Sequence, residues 1–339
     1  MWRWWSIVFA FILAHPLRAQ PAPDYYTPAL GKAGHPLRQA LHQIIRNHTI
    51  IPYNSSTRTD TQDALVLLFQ HPQDTNLVWL TYATRYQPVN TFGTADGWNR
   101  EHRWPNSRGL FSTEPAYSDL HNLHPDDATV NALRSNKYFD FSNPEEPDYR
   151  QPAHFEAPLC SSDTNSWAPP PNARGDIARS LFYMAIRYTG DTLGEPNLRL
   201  TDDTNLIVTG TTYMGRLSTL LEWHRADPPD EPELRRNNII DQLFQHNRNP
   251  FIDHPEWVDL TFAPPPNHPP SLTIQPGPGT LLLRWPATNQ FCVLETAPTP
   301  TGSWVTVTTT PLLTNANFLV PWTNIPGPRT AFFRLRIAN

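Results

Sequence analysis

Two segments of this sequence concentrate side chains that could carry out acid–base and metal chemistry. The first is Trp98–His102, and the second runs from 118 to 136 and contains Asn131. A neutral histidine such as His102 can take a proton from water. The carboxylate of Glu101 and the amide oxygen of Asn131 are hard ligands of the kind that magnesium prefers. These groups supply a base and a Lewis acid for hydrolysis of a phosphodiester bond, and a metal-bound water could protonate the leaving group.

The elements around these residues must bring them together. The first segment is predicted to be a strand. The second begins as a loop, and after Pro125 it is predicted to form a helix with two aspartates (126–127) in its first turn. Asn131 and Arg134 are three residues apart, so one face of this helix would present an amide and a guanidinium.

These segments resemble the endonuclease I family of periplasmic and secreted bacterial nucleases, which belongs to the ββα-metal, or His-Me finger, nucleases. The matching residues of the first segment are Asn99, Arg100, Glu101, His102, Pro105 and Ser107. Those of the second are Asp119, Leu120, His121, Leu123, Pro125, Val130, Asn131, Arg134 and Asn136. Further matches lie at 174–179, 182–184, 223–224, 227–228 and 247–257. The resemblance covers about residues 25 to 262, and its motifs are specific when taken together.

The resemblance implies a role for each matching site residue. His102 would be the general base, and Glu101 and Asn131 would be the side-chain ligands of one metal ion. Asn122 would support the loop that faces His102. The implied ion is Mg²⁺, with Mn²⁺ or Ca²⁺ as alternatives.

A phosphate-binding arginine is also implied, and either Arg134 or Arg108 could take this role. Two positions depart from the family pattern, because Asp140 and His246 stand where glycine is usual. Neither belongs to the proposed chemistry, so the departures bear on loop shape and substrate access.

Other polar clusters have structural interpretations that we prefer. His121 and His124 have the spacing of a zinc pair, but they lie in a loop without an obvious third ligand, which favours structural hydrogen bonding. The polar segment 247–257 is predicted to be a turn that caps the core. Arg179 and Arg187 could form a basic stripe on one helix, although a solvated face or internal ion pairs are favoured.

Apolar spacing predicts the remaining elements of the first 262 residues. Helices are predicted around 37–45, 60–69, 174–188, 213–225 and 231–245, and a buried strand is predicted at 77–83. The prediction is therefore an α+β, mainly helical nuclease domain that contains a ββα-metal motif.

The two ends of the chain differ from this domain. Residues 1–19 have the charged, apolar and small-residue order of a signal peptide, and the apolar run is too short for the roughly 20 residues of a membrane span. The nuclease domain is assigned to 20–262. The proline-rich segment 263–270 is predicted to be a stiff linker. Short apolar runs at 281–285, 291–295, 304–308, 318–320 and 332–337 predict a small β-sandwich over 271–339.

Composition is consistent with an exported, loop-rich globular protein. The chain has 339 residues, of which 39% are hydrophobic, 17% are charged and 38 are proline. Cys160 and Cys292 fall in different predicted domains, so no disulfide framework is expected. A net charge of −5 means that nucleic-acid binding needs a local arginine cluster or a metal site.

The predicted function is a secreted or periplasmic endonuclease that cuts DNA, and RNA as a further candidate, with little sequence specificity. The sequence shows no recognition helix, zinc finger or RNA-binding signature that would read bases. No stable protein partner and no membrane span of the mature protein are implied. Two alternatives remain open at this point: an inactive surface-binding protein that uses the β domain, and a metal-dependent phosphomonoesterase.

Overall fold

The computed structural model describes residues 21–110, 115–263, 270–277, 280–288, 291–323 and 331–337. The predicted signal peptide (1–19) and most of the predicted linker (263–270) lie outside the described residues. Within these ranges, no helix is long and apolar enough to cross a membrane.

Helices dominate the chain up to residue 262. They are α1 Gly34–Ile45, α2 Thr61–Phe69, α3 Ala128–Arg134, α4 Arg174–Arg187, α5 Leu217–Ala226, α6 Glu231–Ile239, α7 Pro250–Asp253 and α8 Trp257–Phe262. The helices predicted around 37–45, 60–69 and 174–188 are confirmed. Asp60 caps α2, because its side chain accepts from the backbone N–H groups of Gln62 and Asp63.

Short strands in small sheets complete this region. They are β1 Leu77–Leu80, β2 Arg85–Pro88, β3 Trp98–His102, β4 Leu123–Asp127, β5 Tyr138–Phe139, β6 Ser161–Ser162, β7 Ser166–Ala168, β8 Arg199–Leu200 and β9 Tyr213–Met214. The pairs β1–β2, β3–β4 and β8–β9 form two-stranded sheets, and β5, β7 and β6 form a three-stranded sheet. The fold is therefore α+β, as predicted.

Four predicted boundaries were wrong, and pairing of the backbone explains two of them. Residues 126–127 belong to β4 rather than to the first turn of α3, because they pair with Asn99 and Trp98. Tyr213 pairs in parallel with Arg199, so α5 begins only at Leu217. The strand predicted at 77–83 ends at 80, and the helix predicted at 231–245 divides into α6 and a π-helical turn over 240–244.

Two hydrophobic clusters pack on either side of the segment that contains β3, β4 and α3. The larger cluster includes most of α4 together with residues of α1, α5 and α8, and Val130 of α3 belongs to it. The smaller cluster contains α2 and β1 residues, and Trp98 of β3 and Leu123 of β4 are buried in it. Burial of both faces therefore fixes the position of the β3–β4–α3 unit.

The structural interpretation of Arg179 and Arg187 on α4, and of most polar side chains in the segment 247–257, is confirmed. Arg179 forms a buried ion pair with Glu233 at 2.5 Å, and Arg187 pairs with Glu195 at 2.7 Å, so neither arginine contributes to a basic stripe. In the segment 247–257, most polar side chains bond within the core, as Asn249 does by capping α7, whereas Glu256 is exposed and contacts His254.

The C-terminal region contains two antiparallel sheets. Its strands are β10 Thr273–Gly277, β11 Thr280–Pro286, β12 Cys292–Ala297, β13 Val305–Thr306, β14 Leu312–Thr314, β15 Asn317–Thr323 and β16 Phe332–Ile337. The strand order is β10-β11-β15-β14 in one sheet and β13-β12-β16 in the other. All five predicted strands are present, and β10 and β14 are additional. Cys160 and Cys292 are both buried and free.

Candidate active site

Strand β3 and helix α3 are joined at the predicted site by β4. β3 pairs antiparallel with β4, with Glu101 opposite His124 and His102 opposite Leu123. α3 begins directly after β4, because the Asp127 side chain caps it by accepting from the N–H groups of 129 and 130. A strand, a strand and a helix therefore follow one another around the candidate residues.

The amide of Asn131 reaches from α3 back to β3. Its Nδ2 donates to Asn99 Oδ1 at 2.7 Å and lies 3.3 Å from the backbone oxygen of Arg100. Because both neighbouring atoms are acceptors, the amide nitrogen must face them. This assignment leaves the oxygen of Asn131 as the atom that can bind a cation.

The carboxylate of Glu101 is buried and held by two side chains. Tyr82 donates its hydroxyl to Glu101 Oε1 at 2.7 Å, and Arg134 lies 3.0 Å from the same oxygen. Burial raises the pKa of Glu101, whereas Arg134 and Tyr82 act in the opposite direction. Neither of these two contacts uses Oε2.

The tautomer of His102 follows from its hydrogen bond. Nε2 lies 2.8 Å from the backbone oxygen of Tyr117, which can only accept. Nε2 therefore carries the hydrogen, and Nδ1 carries the lone pair. Burial lowers the pKa of His102 to about 4, so the ring is neutral at pH 7.

Asn122 fixes the chain immediately after β3. Its Oδ1 accepts from the backbone N–H of Trp104 at 2.7 Å, and its Nδ2 donates to the backbone oxygen of Trp104 at 3.2 Å. The backbone oxygen of Asn122 also accepts from Arg103 N. Asn122 thus holds the residues that follow His102 in the chain.

The two arginines considered for phosphate binding are both buried, so neither presents its guanidinium at the surface. Arg134 has no exposed surface, and its NH1 and NH2 donate to the backbone oxygens of His102 and Arg103 at 3.0 and 2.9 Å. Arg108 is 5% exposed and donates through Nε and NH2 to the backbone oxygen of Asn136. The expectation that one helix face presents both an amide and a guanidinium is corrected, because Arg134 points into the protein.

The His121 and His124 rings lie in different buried surroundings. His121 packs against Tyr183, with ring centroids 4.3 Å apart, whereas His124 packs against Phe69. Arg103 lies 2.9 Å from His124 Nδ1, and an adjacent guanidinium opposes cation binding. In the part of the chain that the structure describes, no three His, Cys, Asp or Glu side chains are grouped to hold a metal.

The two departures from the family pattern have local explanations. Asp140 accepts from Arg216 and from Thr219, so its carboxylate is used in packing. His246 has a φ of 58°, which is the left-handed conformation that favours glycine, and its ring bonds to the backbone oxygen of Asp241. Both side chains are therefore engaged away from the candidate catalytic residues.

The sequence did not single out the aromatic side chains at this site. Tyr82 lies within the strand predicted at 77–83 but follows the end of β1, and its hydrogen bond to Glu101 spans 19 positions. Tyr53 and Tyr117 contact His102 from two separate loops. Hydrophobic periodicity carries no signal for such long-range polar contacts, so only a motif match at these positions could have found them.

Comparisons with known proteins agree with the motifs that the structure brings together. The family described as Endonuclease I matches residues 33–256. An extracellular ribonuclease of Bacillus subtilis (strain 168) is 42% identical over 238 residues, which cover 69% of this chain and 77% of the relative. An extracellular ribonuclease of Bacillus amyloliquefaciens is 43% identical over 238 residues, which cover 69% and 76% of the two chains.

Proposed function

Because this chain is a nuclease that belongs to the endonuclease I family, we propose that it is a secreted, metal-dependent endonuclease that cleaves RNA and DNA with little sequence specificity. His102 is its general base, and Glu101 and Asn131 bind one Mg²⁺. The names of the relatives, both extracellular ribonucleases, support RNA as a substrate and support export. Export would use residues 1–19 as a signal peptide.

The succession of β3, β4 and α3 supports a ββα-metal motif. It places the proposed base and one proposed ligand on the first strand, and it places the second ligand on the helix. The bond between Asn131 and Asn99 ties that helix to that strand. The family relationship, together with this geometry, is the basis for proposing the motif.

The residues present fit a weakly bound magnesium ion. One carboxylate and one amide oxygen are hard donors, and magnesium keeps several waters when protein ligands are few. The amide nitrogen of Asn131 is already used, so its oxygen is the available atom. The nearby guanidinium of Arg134 keeps the affinity low, because it already neutralises Glu101. When bound, the ion would stabilise negative charge on the phosphate.

The hydrogen bond from His102 Nε2 to the Tyr117 carbonyl is the observation that carries the proposed mechanism. It directs the lone pair to Nδ1, which can accept a proton from the attacking water. The half-buried ring is neutral at pH 7 and therefore able to act as a base. Asn122 and Arg134 hold the backbone on both sides of this histidine, which keeps the ring in place during the reaction.

We assign the C-terminal region 271–339 to attachment or stabilisation. Its two antiparallel sheets support a β-sandwich. An inactive binding protein is the less favoured alternative, because the proposed catalytic set is intact.

Cleavage assays test this function. The purified protein should nick supercoiled DNA and degrade RNA with Mg²⁺, and a chelator should abolish both activities. Nitrophenyl phosphate, which a phosphomonoesterase would hydrolyse, should not be a substrate. Chelator-resistant cleavage, or hydrolysis of nitrophenyl phosphate alone, would contradict the proposal.

A further inference from the structure

Two tyrosine rings pack against the imidazole of His102. The Tyr53 ring lies nearly parallel to it at a tilt of 20°, with centroids 5.6 Å apart, and the Tyr117 ring lies at 4.6 Å and 28°. The two tyrosine rings are 4.3 Å apart, and a side-chain hydrogen bond joins them. The three rings therefore form one aromatic cluster at the proposed base.

Arg100 holds the Tyr53 side of this cluster in place. Its guanidinium lies 3.7 Å from the centre of the Tyr53 ring, and it also donates to the backbone oxygen of Tyr53. The same guanidinium donates to Thr61 Oγ1 at 2.8 Å and to Asn54 Oδ1 at 2.7 Å. Because all of these acceptors are uncharged, Arg100 links strand β3 to the loop of Tyr53 without forming an ion pair there.

The aromatic cluster restricts a motion that the hydrogen bond of His102 leaves free. The bond from Nε2 to the Tyr117 oxygen fixes one atom of the ring, but the imidazole plane can still turn about that contact. A ring packed against this imidazole resists such turning. The direction of Nδ1 then depends on Tyr53, although Tyr53 itself takes no proton.

We propose that Tyr53, held by Arg100, is a positioning residue that fixes the plane of the His102 imidazole so that Nδ1 faces the attacking water. This inference rests on the proposed function, in which His102 is the base. It assigns Arg100 of the Asn-Arg-Glu-His motif a role in supporting the histidine two residues further along.

The first test measures kcat and KM for the full chain with Mg²⁺ and a fluorogenic RNA oligonucleotide. Tyr53→Leu removes the ring, and it should lower kcat by roughly 10- to 100-fold with KM within about 2-fold, as misplacement of a catalytic group does. Tyr53→Phe keeps the ring and should restore kcat to within about 5-fold of wild type. Tyr86→Leu is the matched control, since the Tyr86 ring packs against His71 and Trp79. It should leave both constants unchanged.

The second test repeats Tyr53→Leu in the His102→Ala background. A residue that acts through His102 loses its effect when the imidazole is absent, so the second substitution should change kcat by less than about 2-fold. Equal losses of kcat in both backgrounds would overturn the inference. A rise in KM with kcat unchanged would also overturn it, because Tyr53 would then bind substrate.

The outcomes separate this inference from the proposed function. A wild-type protein that cleaves neither nucleic acid would overturn both, whereas an active, His102-dependent enzyme with equal losses would overturn this inference alone. Should Tyr53→Leu fail to fold, Arg100→Leu takes its place in both backgrounds. That variant removes the guanidinium that holds the Tyr53 ring, and the same pair of kcat comparisons decides between the outcomes.

Discussion

Replacing Arg134 by methionine tests how strand β3, which carries the proposed base, is held in place. The guanidinium has no exposed surface, lies 3.0 Å from Glu101 Oε1, and donates to the backbone oxygens of His102 and Arg103. Methionine keeps much of the aliphatic length but has no hydrogen-bond donor. The substitution therefore leaves one buried carboxylate and two backbone oxygens without this partner.

The expected loss of stability is large. Removing one partner of a buried ion pair costs about 3–5 kcal/mol. Each buried backbone oxygen left without its donor adds about 1–3 kcal/mol. The sum, roughly 5–11 kcal/mol, is comparable to the whole stability of about 5–15 kcal/mol of a typical domain. Burial already raises the pKa of Glu101, so this side chain can take up a proton when Arg134 is absent. Protonation removes the unpaired charge and brings the loss of stability toward the lower end of this range.

Thermal denaturation is the assay, and the chain offers a matched control. At about 2–4 °C per kcal/mol for a domain of this size, Arg134→Met should lower Tm by at least about 10 °C or yield no folded protein. Arg225 pairs with Asp259 on the surface, where the side chains are 53% and 49% exposed. Arg225→Met should therefore change stability by less than about 1 kcal/mol. Adding Glu101→Gln to Arg134→Met should recover part of the lost stability, because it removes the unpaired charge.

A phosphate-binding role for Arg134 would give the opposite pattern. Arg134→Met would then keep Tm within about 2 °C of wild type, less than the shift for 1 kcal/mol, and raise KM for nucleic acid. That result would refute a structural role for Arg134.

Three further predictions concern pH, metal binding and the C-terminal region. Burial lowers the pKa of His121 to about 3 and that of His224 to about 4, so the unfolded state binds more protons below the ordinary value of 6.5. The contribution of these neutral histidines to the free energy of unfolding should be fully present above about pH 6.5 and should fall as the pH drops toward 4. Urea midpoints that stay constant between pH 7 and 4.5 would contradict this. Asn131→Asp should tighten Mg²⁺ binding in calorimetric titrations yet lower turnover, whereas Glu101→Gln should weaken binding; unchanged affinity in both would place the metal elsewhere. Removal of 271–339 should leave a soluble, active nuclease, and an insoluble or inert product would make that region part of the catalytic fold.

Local patterns predicted the elements that apolar residues define. The helices around 37–45 and 174–188 follow from spacing that places one face in the core. The start of α3 was missed because proline followed by two aspartates is also a typical helix beginning. Pairing with β3 kept those residues in β4 instead, and this long-range contact leaves no trace in local sequence.

At the candidate site, too, local sequence indicated some residues, whereas long-range contacts determined the position of others. Glu101, His102 and Asn131 could be proposed from residue type and motif, because the proposed chemistry requires those groups. The exposure of an arginine could not be predicted from its charge, so Arg134 was a candidate for phosphate binding although it lies buried beneath His102. Tyr53 and Tyr82 were missed because their contacts join residues 49 and 19 positions apart.

Comparison of wild type with His102→Ala on RNA and supercoiled DNA, each with Mg²⁺ and with chelator, tests the central claim most directly. The account predicts Mg²⁺-dependent endonucleolytic cleavage that falls by roughly 10²–10⁴-fold in His102→Ala, as expected when a general base is lost. The Tm of the variant should stay close to that of wild type, because the ring is only half-buried and its Nε2 donates one hydrogen bond, to the backbone oxygen of Tyr117. Cleavage that persists in chelator, or a folded His102→Ala protein with activity within a few-fold of wild type, would contradict it.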